Sequence, residues 1–93
     1  MNLPISDQPA VPVFDCHVLL SGPDDAGRYR ARAANLDGVT GGGTSERQTL
    51  LSVVTAFKAV VGDFHRNGEP IPWKEPPETP VPGEVERWIP VHL

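Results

Sequence analysis

The chain has 93 residues, 39% of them hydrophobic, with 12 acidic and 8 basic side chains, a formal charge of −4 and a pI near 5.2. This length fits one small domain with a modest core and a thin stability margin, and the acidic balance disfavours a long nucleic-acid footprint, which depends on accumulated Lys and Arg. Cys16 is the only cysteine and excludes an intramolecular disulfide, no apolar run is long enough to span a membrane, and residues 1–12 carry neither a basic residue nor a signal-type apolar stretch, so a cytoplasmic location is expected.

Eleven prolines and nine glycines punctuate the chain, with the prolines gathered towards both ends. The organisation expected is a flexible N-terminus over 1–12, a core over 13–68, a proline-rich connection over 69–83 and a terminal strand over 84–93. No internal repeat is visible. In residues 13–20, Phe14, Cys16, Val18 and Leu20 alternate with Val13, Asp15, His17 and Leu19, the period of a strand with one buried face. The turn-rich residues 21–27 separate it from a second strand over 28–34, where Tyr29, Ala31 and Ala33 alternate with Arg28, Arg30 and Arg32. The two read as an antiparallel hairpin, its small inner alanines leaving room for a helix.

Residues 36–40 are long enough for a short third strand. The Gly41-Gly42-Gly43 run is read as a sharp turn into a helix, because glycine adopts positive φ without steric cost. Ser45 is the expected N-cap, since Gln48 stands three positions on in the capping-box pattern. Thr44 in that role would put Arg47 at the third helical position, against the helix dipole. Leu50, Val53, Val54, Phe57, Val60, Val61 and Phe64 then form one apolar stripe, and Gly68 is a suitable stop, with His65 and Arg66 at the negative end. Prolines 70, 72, 76, 77, 80 and 82 exclude helix and central strand from the connection. Beyond it Val85, Ile89, Val91 and Leu93 share one side of a last strand, which Pro90 confines to a sheet edge.

The run Leu36-Asp37-Gly38-Val39-Thr40-Gly41-Gly42-Gly43-Thr44-Ser45-Glu46-Arg47-Gln48, the helical stripe and the exit Asn67-Gly68-Glu69-Pro70-Ile71-Pro72, preceded by the two-strand pattern, resemble the HicB-like domain, the antitoxin-side module of bacterial toxin–antitoxin pairs. The resemblance implies an α+β fold: a three-stranded antiparallel sheet, one long helix packed on one face and a C-terminal strand added at the edge. This β-β-β-α-β order is similar to a truncated ribonuclease-H core without its active site. It also implies a non-enzymatic binding role, with a small toxin-like protein as partner. The helix-turn-helix or ribbon-helix-helix domain that many members carry is missing, because too few residues follow Pro82, so DNA is not an expected ligand. Val39 stands where the family often has cysteine.

Each candidate site has a plainer reading beside it. A glycine run before a helix can cradle phosphate, but Thr44-Ser45-Glu46 supplies a carboxylate where a lysine is wanted, which favours a structural turn. Arg28, Arg30 and Arg32, with Asp15 and His17 opposite, form either a solvated face of cross-strand ion pairs or a surface for a partner, a second copy or RNA. His17, His65 and His92 are scattered, and no metal-ligand spacing joins them to Cys16. Asp15, Glu46 and Asp63 make no acid–base couple, and Cys16, expected among apolar neighbours, is no nucleophile. Trp73 and Trp88 flank the connection and read as packing. Pro77-Glu78-Thr79-Pro80 lacks the orienting arginine of a PxxP ligand.

No catalytic, cofactor-binding or metal residue is therefore assigned. The candidate partner or dimer surface is Val13, Asp15, His17, Leu19, Arg28, Arg30 and Arg32, with a homodimer expected because one helix covers only one sheet face. RNA binding through the arginines is the alternative reading. A vestigial nuclease is disfavoured by the missing carboxylate cluster.

Overall fold

The structure is a computed structural model that describes residues 12–93; the flexible segment expected over 1–12 lies, apart from Pro12, outside them. The element order is β1 (Val13–Ser21), β2 (Tyr29–Ala33), β3 (Thr40–Gly43), α1 (Glu46–Arg66) and β4 (Val85–His92). The strands form one four-stranded antiparallel sheet in the order β3-β2-β1-β4, with the C-terminal strand at an edge beside β1. The α+β architecture expected from the sequence is thus present.

The period-2 alternation places Phe14, Cys16, Val18 and Leu20 of β1 and Ala31 and Ala33 of β2 on the inner face. There they meet Val53, Phe57 and Val61 of α1, all fully buried, while Leu50, Val54 and Val60 flank the contact. Val91 and Ile89 of β4 complete the layer.

The third strand departs from expectation. Residues 34–39 form a turn with Gly38 at φ +80°, from which Leu36 and Val39 drop into the core. The strand itself is Thr40–Gly43, so the three glycines are the strand and not the hinge. None of them has positive φ. What they supply is close approach. The register Ala31↔Gly41 and Tyr29↔Gly43 turns these two residues to the inner face. A Cβ on Gly41 would lie 2.5 Å from the backbone nitrogen of Val53, and one on Gly43 2.8 Å from Cβ of Gln48. The helix rests on bare strand. Gly42 points the other way, and its edge-facing N–H donates to Ser52 Oγ at 3.3 Å.

Ser45 caps α1, its hydroxyl accepting from the Gln48 N–H at 3.1 Å. The returning half of the expected box is displaced by one residue, for Gln48 Oε1 accepts from Thr44 N at 3.1 Å and from Thr44 Oγ1 at 2.8 Å. At the other end Gly68, at φ +66°, donates to His65 O, and Glu69 N donates to Phe64 O, the paired bonds of a Schellman stop.

Two stability measurements follow from this packing. Gly41→Ala forces a methyl group against helix backbone and is expected to cost about 1–3 kcal/mol or more, whereas the outward Gly42→Ala should change stability by less than about 1 kcal/mol. Urea unfolding of the two variants checks the order. Phe57→Ala removes a fully buried ring and should cost about 3–5 kcal/mol; a loss under about 1 kcal/mol would place Phe57 outside the core.

Candidate functional site

On the outer face of the sheet the pairings Val13↔His92, Asp15↔Pro90, His17↔Trp88 and Leu19↔Glu86 align β1 with β4, and Leu19↔Arg32 and Ser21↔Arg30 align it with β2. The sequence reading leaves this face open. The structure instead lays the connection between α1 and β4 over part of it. Trp73 anchors the connection on the inner side, its ring 5.8 Å from that of Phe14 and 6.0 Å from that of Phe57. Lys74 N then donates to Asn35 O and Glu78 N to Ala34 O, both at 2.9 Å, so the strap turns over the end of β2.

Arg32 fixes the strap from below. Its guanidinium pairs with both oxygens of Glu84 at 2.9 Å, in a fork, and with Glu78. Glu84 also accepts from Val81 N at 2.9 Å. The paired arginine is the main cause holding the carboxyls of Glu84 and Glu78 below the usual range, and the two carboxylates hold the guanidinium proton still more firmly. Leu19, beside Arg32 on this face, is 0% exposed. Two members of the expected surface are therefore corrected: Leu19 is core-like beneath the strap, and Arg32 is committed to a clasp.

The remaining five fall into two groups. Arg28 lies outside β2, in a loop organised by Asp24, whose carboxylate accepts from Ala26 N and Arg28 N at 2.9 Å and is held below its usual range chiefly by the latter bond. Arg28 and Arg30 are exposed and have no carboxylate within ion-pair distance among the described residues. On the other side of the clasp stand Val13, Asp15 and His17. Here the structure adds residues the sequence reading missed. His17 Nε2 lies 2.6 Å from Glu86 Oε2, and its ring stacks on Trp88 with centroids 4.7 Å apart and planes 18° from parallel. Trp88 stays 60% exposed despite that stacking. Asn35 extends the ladder past the end of β2, its side chain accepting from His17 N at 3.3 Å and donating to Asp15 O at 2.8 Å.

Between strap and sheet these side chains line a groove of about 420 Å³: Asp15 and His17 on the floor, Trp88 on one side, and Trp73, Lys74 and Glu75 of the strap on the other. Lys74 is already engaged by Glu78 at 3.2 Å and Asp37 at 3.3 Å, which raise its pKa. Burial pushes the Cys16 thiol up to about 12, far from a nucleophile's range. Among the described residues no three His, Cys, Asp or Glu side chains gather so as to hold a metal ion, and no helix is long and apolar enough to cross a membrane. Comparison with protein-family models, curated proteins and solved structures gives no match to this chain, and its function is read from the residues themselves.

The clasp has a pH signature. Glu84 and Glu78 have folded pKa values below the ordinary 4.5, so their contribution is present above that value and is lost as pH falls through the lower folded values. The thermal midpoint should fall on acidification below about pH 4.5. Arg32→Met should lower the midpoint at pH 7 and flatten that acid limb; parallel curves for the two proteins would show that the clasp contributes nothing.

Proposed function

We propose that this chain is a non-enzymatic protein-interaction module of the HicB-like kind, one that sequesters a small protein partner and self-associates in the cytoplasm. The element order β-β-β-α-β, with the last strand beside the first and antiparallel to it, fits a small sheet-and-helix module of this kind. The observation that carries the binding role is Trp88. A large ring held rigid from behind by His17 and left 60% exposed is the residue type that dominates binding energy at protein interfaces. It stands on an edge strand. The Leu93 N–H to Pro12 O bond fixes the alternation of the β1–β4 ladder, which turns the backbone groups of Trp88 and Pro90 outward. Pro90 thus lacks its N–H where no neighbour strand needs it, and Trp88 offers a donor and an acceptor to an added strand.

The lining of the groove favours binding over catalysis. It contains no hydroxyl or thiol, and its one amine, Lys74, is held protonated by two carboxylates. Arg28 and Arg30, which have no carboxylate within ion-pair distance among the described residues, favour RNA contact as the second reading, since Arg32 is withdrawn into the clasp. Two cations make a small phosphate footprint.

Affinity capture from the source cell, with wild-type and Trp88→Ala proteins as parallel baits, tests the reading. A small protein retained by the first should be lost from the second, by a weakening of about 2 kcal/mol or more, with the circular dichroism of the variant unchanged. Capture indifferent to Trp88, or metal-dependent RNA cleavage by purified protein that Asp15→Asn abolishes, would contradict it.

A further inference from the structure

We propose that the groove beside Trp88 receives a cationic side chain, arginine or lysine, carried by an extended basic segment of the protein partner. The proposal rests on the interaction-module reading and assigns its partner a chemistry. Three observations meet in the groove. Asp15 and Glu75 present carboxylates that have no cation within ion-pair distance among the described residues, one from the floor and one from the strap. Lys74, the only lysine or arginine in the lining, is already matched by Asp37 and Glu78 outside it. Trp88 adds an aromatic ring to the lining, stacked on His17, and the imidazole is itself tied to Glu86.

These features select one sign of charge. An anion entering the groove would meet two uncompensated carboxylates and no free donor cation. A guanidinium or ammonium group would meet carboxylates beside an aromatic ring, a combination that favours cations. The walls of the groove are fixed by the fold. The strap is pinned on one side by Lys74 N to Asn35 O and Glu78 N to Ala34 O, and beneath by Arg32, so Glu75 is carried on fixed backbone. Asn35 fixes the floor by bonding the backbone on both sides of Cys16. A volume near 420 Å³ falls within the ~300–1,000 Å³ of ordinary ligand sites and accommodates more than one side chain.

The test is a titration of the full chain, followed by two-dimensional ¹H–¹⁵N NMR, with three probes: an acetylated and amidated Arg-Gly-Arg-Gly-Arg peptide, its Glu-Gly-Glu-Gly-Glu counterpart, and oligouridine. The basic peptide should shift the Trp88 indole N–H and the amides of Asp15 and Glu75 saturably, and more weakly as salt is raised. The double variant Asp15→Asn/Glu75→Gln should bind about tenfold more weakly, while Arg30→Gln binds as wild type; the dispersion of each variant's spectrum reports that it is folded. No shift with the basic peptide at millimolar concentration, or a shift that survives the double variant, overturns the groove proposal and leaves the Trp88-dependent capture to be judged alone. A Trp88 shift that grows with protein concentration in the absence of peptide makes the occupant a second copy and also overturns it. Oligouridine binding at Trp88 in preference to the peptide overturns both readings.

Discussion

Helix α1 lies against backbone, and the other contacts of the domain take their places from that approach. Gly41 and Gly43 leave no side chain between β3 and the first turns of the helix, so Val53 and Gln48 come within distances no Cβ would permit. The close contact sets the helix low over the β3 side of the sheet. Its apolar stripe then reaches the small residues Ala31 and Ala33 of β2 and, beyond them, Val18 and Cys16 of β1. Larger residues on β3 would lift α1, and Phe57 would lose the contacts that make it the largest fully buried side chain.

Because α1 covers only the inner face, the outer face depends on the connection from Gly68 to β4. Trp73 packs with the core aromatics at one end of it, and Arg32 grips Glu78 and Glu84 at the other. The clasp is charged but not deeply buried, with the Arg32 side chain 31% exposed, so its value lies more in fixing a path than in adding stability. That path has two consequences. It buries Leu19, and it divides the face into an arginine end and an end where aromatic and acidic groups meet. By carrying the chain along β1 before β4 begins, it also makes β4 antiparallel to β1 and leaves β4 as an edge.

Periodicity carried most of the architecture in the sequence. The alternation in β1, the helical stripe with its Ser45 cap and Gly68 stop, and the edge position forced by Pro90 all arise from local rules that the folded chain obeys. The glycine run was ambiguous for a physical reason: glycine serves both positive φ and close backbone approach, and only the partner in space distinguishes them. Leu19 was misplaced because strand alternation assigns a face but not what covers it, and a proline-rich connection has no period to reveal where it docks. The pairing of His17 with Trp88 was equally hidden, since it depends on the β1–β4 register across a separation of 71 residues. Two aromatics read as packing thus proved unlike: Trp73 packs against the core and Trp88 stands on the surface.

If α1 and β3 are joined through the glycine contact, they must open together. Native-state hydrogen exchange measures this directly, through the amides of Gly41 and Gly43, which face β2, and those of Val53 to Phe57 in the middle of α1. Equal opening free energies in the two sets, responding alike to denaturant, are the expected result. Fast local exchange at the glycines, with α1 still protected to the level of global unfolding, would show β3 to be a fraying edge and would contradict its role as the bed on which the helix lies.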